Sequence, residues 1–447
     1  MAKRTHLASG SDSDALGARD GLVVGVTLFS MFFGAGNLIL APLLGLRAGV
    51  QTPEALLGFI VSAVGLPVLT IAAIALSGTV GKLGDRIHPV FSKVFAAAAY
   101  LAIGPFLAIP RTATTSFEMV RPLLPEDVSP AAALVAFSLV FFVVAYFLAM
   151  HPNRLTELMG KISGPTLIVL VVLLVASTLV SPPGIPATVA SAPYDEAAGV
   201  AGFVYGYQTM DVLAALAFGY VIAMNVRELG VQSPAGIARQ VVRSGVIAGV
   251  CMAAIYCGFG YLGAVMGSAL PNAANGAEVI AGAAAIEFGS AGSVLVAAIF
   301  LVACLNVCIG LICSISEYFS VEYELMPYER WALVIAVLSC LLANVGLTTI
   351  LEYSVPLLSA LYPIAIVLMV MGLAQRGSGE GGRLAWRLCV AFCGVDSVIV
   401  ALRDGFAKGL ALPLDLLPLA GLGMGWILPA ILGFVVGLLA ERLFRRA

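Results

Sequence analysis

Long apolar runs recur along the whole of this chain, and nothing else in the sequence restricts its fold as tightly. Twelve stretches, at 22–46, 54–77, 90–112, 131–150, 162–181, 200–225, 241–268, 291–319, 331–349, 354–373, 384–403 and 412–440, match the roughly 20 residues that a helix needs to cross a bilayer. Lipid offers no hydrogen bonds, so each run must satisfy its own backbone, which only a helix does within one segment. Of the 447 residues 61% are hydrophobic and 11% charged, against roughly 45–50% apolar in a soluble domain. The expectation is an all-α polytopic membrane protein with 12 transmembrane helices. It has one membrane unit, 21–440, between a polar tail, 1–20, and a short basic tail, 441–447. The connections are too short for a soluble domain. The first twenty residues contain no apolar h-region, so no cleaved signal peptide is expected.

The net charge of -2 conceals a segregation of signs. Of the 23 lysines and arginines, all but Arg47, Arg111, Arg121, Arg403 and Lys408 fall on one side if both termini are cytoplasmic. The linkers 181–199 and 269–290 hold no basic residue and read as external, while 375–382 reads as a flexible cytoplasmic connector. Nothing here favours nucleic acid. The eight cysteines form no CxxC pair and the three histidines (His6, His88, His151) lie in polar segments, which argues against a metal site or an intramembrane histidine relay. No GxxxxGK[ST] loop is present, so a nucleotide-driven pump is not expected.

Two runs are irregular. Within the first, Phe32-Phe33-Gly34-Ala35-Gly36-Asn37 puts two glycines and an asparagine where a hydrogen-bond ladder should continue. Glycine serves close helix packing as readily as a helix break, but a break would expose N–H groups to an anion and carbonyls to a cation. The sixth run contains Gly206-Tyr207-Gln208-Thr209-Met210-Asp211. An acid in an apolar segment marks a polar cavity, or else serves as a cap or structural partner. Runs one and six are five apart, the separation that a five-plus-five inverted repeat requires. In the eighth run, Asn306 supplies an oxygen to a cation or holds a neighbouring helix, and Glu317 reads as a solvated face. In the third, Pro110 and Arg111 through Glu118 read as an external vestibule or an Arg111–Glu118 pairing, with direct contact to a bound solute the lesser alternative.

The strings FFGAGNL (32–38), IGPFLAIPRTATTSFE (103–118), NRLTELMGKISGP (153–165), TMDVLAALAFG (209–219) and SVPLLSALYPIAIVLM (354–369) together resemble the bacterial branched-chain amino acid:cation symporter family. The resemblance covers essentially the whole chain. It implies a LeuT-type 5+5 inverted repeat with discontinuous helices 1 and 6, core repeats at about 21–181 and 200–373, and two extra helices at about 384–440. It also implies sodium-coupled uptake of leucine, isoleucine or valine across the bacterial cytoplasmic (inner) membrane, with no other cofactor. The substrate carboxylate would rest on the amides of Gly34, Ala35 and Gly36, and Asp211 would orient its ammonium. Phe33, Ala214 and Phe218 would wall the aliphatic side chain. A first sodium would use Asn37 and Thr209. A second would use Ser30, Phe33, Ala303 and Asn306, although the family commonly shows adjacent threonines where this chain has Asn306-Val307. Leu40-Ala41-Pro42 departs as well, with packing consequences only.

Two alternatives carry distinct chemistry. A proton-coupled or exchange transporter of the same architecture would use Asp211 as proton carrier. An intramembrane enzyme would pair Asp211 with Asp396, which lacks the glycine-aspartate setting of such a dyad and sits on a helix that the implied fold keeps apart.

Overall fold

The structure, a computed structural model, describes residues 15–125, 127–375, 383–407, 410 and 412–444. The expectations placed on residues 1–14, on most of the cytoplasmic connector (376–382), on Lys408 and on 445–447 lie outside the described residues. Regular structure among the described residues is entirely helical.

The first run is split into α1 (Ala18–Phe32) and α2 (Ala35–Ala48). There follow α3 (52–77), α4 (Pro89–Leu123), α5 (Pro130–Ala149) and α6 (Leu155–Val180). The sixth run is also split, into α7 (Tyr194–Thr209) and α8 (Asp211–Glu228), bent by 49°. Then come α9 (Pro234–Val265), α10 (Gly276–Phe288), α11 (Ser290–Tyr323), α12 (Tyr328–Ala343), α13 (Leu347–Ala374), α14 (Arg383–Phe406) and α15 (Ile427–Phe444). Every expected run contains helix. By length and hydropathy alone, however, 8 of the described helices can cross a membrane, or 9 with α7 and α8 taken as one span. The split leaves α1 with 15 residues, α12 has 16 and α15 18, short of full bilayer length, while α2 is counted with α3 in one span, Ala35–Ser77.

Three differences from the sequence reading have local causes. The first half of the last run, up to Trp426, forms 3₁₀ turns at Pro413–Leu416 and Ala420–Leu422, because Pro413, Pro418 and three glycines break the period. The linker expected to be an external loop at 269–290 contains α10. Asn275 accepts from the Glu278 N–H at 3.0 Å and Glu278 reaches back to the Ala274 N–H at 2.9 Å, a reciprocal cap that a propensity reading misses. The tails also shorten, since α1 begins at Ala18 and α15 runs to Phe444.

Wide π turns interrupt α3 at Val61–Gly65, α4 at Ala102–Phe106 and α6 at Met159–Ser163. Each lies beside or contains a proline (Pro67, Pro105, Pro165). A proline contributes no N–H, and the helix absorbs the missing bond by widening one turn.

The packing carries the repeat. The broken pair α1/α2 packs on α9, the second helix of the second half, while the broken pair α7/α8 packs on α3, the second helix of the first half. The third helices, α4 and α11, pack together, as do the fourth, α5 and α12. α6 packs on α9, and α13 on α3. These pairings exchange when the halves are exchanged, as an inverted repeat requires. Small residues allow the closest approaches: a Cβ on Gly263 would strike the Pro42 carbonyl, and one on Gly202 the Ala55 carbonyl. α14 and α15 form a hairpin that joins the rest of the bundle largely through α13.

Candidate functional site

The two helix breaks face each other. α1 ends where the Phe33 N–H reaches the Phe29 carbonyl at 2.8 Å, and α2 opens where the Leu38 N–H reaches Gly34 at 3.0 Å. Between them Gly34 is extended (φ -132, ψ -153) and α1 loses the donors that would have capped its last carbonyls. The Gly34 N–H is not free: it donates to Asn37 Oδ1 at 3.1 Å. This corrects the expected cradle, whose open donors at the start of α2 are the N–H groups of Ala35, Gly36 and Asn37 rather than Gly34 to Gly36. The second break is set by Met210 in the left-handed region at φ 68. A side chain there costs about 1 kcal/mol or more, so surrounding contacts must hold it. One is the Tyr362 hydroxyl, which accepts from the Val212 N–H at 3.3 Å.

Asn37 joins the breaks. Its Nδ2 donates to Asp211 Oδ2 at 2.7 Å and to the Tyr256 hydroxyl at 2.6 Å, and Asn37 and Asp211 are both 2% exposed. Thr209 Oγ1 donates to the Gly206 carbonyl at 2.9 Å and accepts from the Asp211 N–H at 3.3 Å. The oxygens expected to hold a first sodium, on Asn37 and Thr209, therefore each already take one bond and keep one lone pair.

Around this pair lies a cavity of ≈ 20 Å³, room for about one water. Its polar lining is the Gly34–Asn37 backbone, Asn37, Arg111, Thr112, Thr209 and Asp211, and its apolar lining includes Met31, Phe32, Ile103, Ala214, Val307 and Leu311. Two expected walls are misplaced. Phe33 turns away, stacking on Phe29 with ring centroids 5.1 Å apart and on Phe259 at 6.4 Å. Phe218 stands one layer back, edge-on to Phe32 at 5.2 Å. Ala214 alone of the three lines the cavity. Both phenylalanines lie on regular helix, and which face of an all-round apolar helix meets the cavity is set by its packing partners rather than by the sequence.

Of the positions expected for a second cation, Ser30 and Asn306 lie in polar pairs where α1, α6 and α11 meet, and no contact among the described residues brings Phe33 to them. Ser30 Oγ lies 2.9 Å from the Val26 carbonyl and 3.3 Å from that of Met159, and Ser163 Oγ lies 2.8 Å from Asn306 Oδ1. Ala303 is fully buried beside them, and the other amide atom of Asn306 is buried without a partner among the described residues. Val307 presses against Gly34, where a Cβ would collide with it. Ser163 was missed, although its Gly160–Pro165 setting signals an irregular turn. Tyr256 and Tyr362 were missed because their neighbours in sequence are apolar.

Arg111 is corrected. Expected at an outer vestibule facing Glu118, it is 4% exposed and lines the central cavity, while Glu118 is exposed and forms no ion pair with it among the described residues. Asp396 lines a different cavity from Asp211, with Arg403 and Trp426, so the two acids do not form a dyad.

The profile of the family described as "Branched-chain amino acid transport protein" matches residues 17–444. The branched-chain amino acid permease BraB of Bacillus subtilis (strain 168) is 37% identical over 430 residues, covering 95% of this chain and 96% of that protein. The branched-chain amino acid transport system 3 carrier protein of Pseudomonas aeruginosa is 38% identical over 435 residues, covering 96% of this chain and 98% of the carrier. Among solved structures, Mhp1, a nucleobase-cation-symport-1 family transporter in a closed conformation with bromovinylhydantoin bound, superposes with a TM-score of 0.60 at 15% identity, covering 95% of this chain and 92% of Mhp1. That likeness establishes the LeuT-type helical fold, and at this identity the fold alone.

Proposed function

The chain belongs to the branched-chain amino acid transport protein family, whose members are permeases rather than enzymes, and on that premise we propose that it carries leucine, isoleucine or valine by cation-coupled alternating access. One observation carries the reading. Two broken helices meet across a small cavity lined both by charged and polar groups, Arg111, Asp211, Asn37 and Thr209, and by apolar side chains such as Ala214, Val307 and Leu311, the two kinds of surface that a zwitterion with a branched apolar side chain needs. The start of α2 and Asp211 present opposite charge to a carboxylate and an ammonium. Ala214, Val307 and Leu311 meet the side chain through dispersion and burial, and one methylene there is worth only about 1–3 kcal/mol, so several branched substrates are accepted. A cavity of ≈ 20 Å³ does not hold an amino acid. Entry and exit therefore require the α1/α2 and α7/α8 elements to move against their packing partners, the rocking that this architecture supports.

Sodium is the proposed coupling ion, supported by the hard oxygens of Asn37 and Thr209 beside the breaks and of Ser30 and Asn306 in the second cluster. The second reading is proton coupling through Asp211. It is favoured by Val307 standing where a ligating hydroxyl is expected and by Ser163 already occupying Asn306. The membrane is read as the bacterial cytoplasmic membrane, with both ends inside. Uptake of radiolabelled leucine into proteoliposomes, with sodium, lithium and pH gradients imposed separately, tests substrate and ion together. Uptake driven by a sodium gradient alone supports sodium coupling, and uptake indifferent to sodium but abolished by a protonophore overturns it. A protein that moves no branched-chain amino acid under any gradient overturns the whole reading.

A further inference from the structure

Arg111 is a cation buried where burial is costly, and its surroundings do not use it fully. Its Nη1 donates to the Gln208 carbonyl at 3.1 Å, at the approach to the second break. Its Nη2 lies against the Cα of Gly36, at a place where a Cβ would collide with it. Its Nε is buried with no partner among the described residues. The guanidinium is 4% exposed and lines the same cavity as the start of α2 and Asp211. A buried charge without compensating bonds is strongly unfavourable. Asp211 lines the same cavity but forms no ion pair with Arg111 among the described residues, its Oδ2 being bonded to Asn37.

From this geometry we infer that Arg111 is the residue that receives the substrate's carboxylate, together with the free N–H groups of Ala35, Gly36 and Asn37. The inference rests on the cavity being the amino acid site. Two independent features converge on one small volume: the donor end of the 14-residue α2 and a planar guanidinium with unused donors, the group best suited to gripping a carboxylate with two parallel bonds. Gly36 is required twice, once to open the helix start and once to let Nη2 approach. Because Nη1 keeps the Gln208 carbonyl, a carboxylate held by Arg111 ties α4 and both breaks into one unit. The site then demands a carboxylate: an amino acid amide or a simple amine lacks the charge that Arg111 lacks a partner for.

The test is competition against radiolabelled leucine on the purified full-length protein, with unlabelled leucine, leucinamide and isoamylamine as competitors. The wild type is expected to prefer leucine over leucinamide by about 30-fold or more, the usual scale for an unmatched buried charge. Arg111→Gln should weaken leucine by a similar factor and bring the leucine-to-leucinamide ratio towards one, while Arg111→Lys, a point charge, should restore part of that ratio. Gly36→Ala, which crowds Nη2 without removing charge, should also lower the ratio and provides the measurement if Arg111→Gln does not fold. An Arg111→Gln protein that binds leucine as the wild type does, or that weakens leucine and leucinamide equally, overturns the assignment, as does a Gly36→Ala protein with an unchanged ratio where that variant carries the test. Wild-type protein that binds another carboxylated amino acid but no leucine overturns the proposed substrate instead, and the same ratio is then measured with that amino acid and its amide.

Discussion

Replacing Asn37 with alanine tests whether the two breaks are held by one side chain. The substitution removes three bonds: the donation to the Asp211 carboxylate at 2.7 Å, the donation to Tyr256 at 2.6 Å, and the acceptance from Gly34 at 3.1 Å. A bond to a charged acceptor contributes about 1.5–3 kcal/mol. A neutral bond between membrane helices averages only about 0.6 kcal/mol, because the unfolded chain in lipid finds other partners. Leaving the buried Gly34 N–H unpaired costs about 1 kcal/mol or more. Together these give roughly 3–5 kcal/mol, most of it from Asp211. Reversible unfolding in mixed SDS and lipid micelles measures the loss. Thr27→Ala is the control, since Thr27 bonds only the Val23 carbonyl within its own helix at 2.8 Å and its removal should cost about 1 kcal/mol or less. Asn37→Ala should also abolish leucine uptake while the protein still inserts. A measured loss below about 1 kcal/mol, or wild-type uptake, would refute the reasoning that Asn37 couples the breaks.

Asp211→Asn preserves shape and can still accept from Asn37, so it should cost only the difference between a charged and a neutral acceptor, about 1–2 kcal/mol in unfolding, while lowering uptake efficiency by about 2 kcal/mol or more; a neutral residue that transports normally would remove both the ammonium role and the proton-carrier alternative. Gly263→Ala forces a Cβ into the Pro42 carbonyl and should destabilise the α2–α9 contact by about 1–3 kcal/mol. Gly421→Ala, with nothing within 4 Å of the new Cβ, should stay within about 0.5 kcal/mol in the same assay. Val307→Thr adds an oxygen beside the first break at almost no change in volume and should lower the sodium concentration for half-maximal uptake, whereas Asn306→Ala should raise it. Identical sodium dependence in both variants would argue against a second cation at that cluster.

The sequence by itself determined the properties that are local to a segment. Twelve apolar runs make a helical membrane protein, because lipid forces each run to close its own hydrogen bonds. Glycines at 34 and 36 and the Asp211 in run six mark the breaks, because a ladder interrupted inside lipid needs a reason. Their separation by five runs was enough to expect the inverted repeat that the packing displays.

Only the tertiary structure decided which side chains meet. Phe33 was expected to wall the cavity and Phe32 does so: both still follow the period of α1, where neighbours stand about 100° apart, and only the packing of α1 on α9 decides which of the two faces the cavity. Ser163 joins Asn306 from a run remote in sequence. Arg111 shows the limit most clearly. Beside Pro110 and near a span end it reads as a boundary charge, but the π turn at Ala102–Phe106, with Gly104 outside helical geometry, changes the phase of α4 and points it inward. The groups it meets there, Gly36 and the Gln208 carbonyl, lie 75 and 97 positions away in the chain. Local patterning marks where a helix can break. Which charge waits at the break depends on contacts between remote segments, and those exist only once the helices have packed.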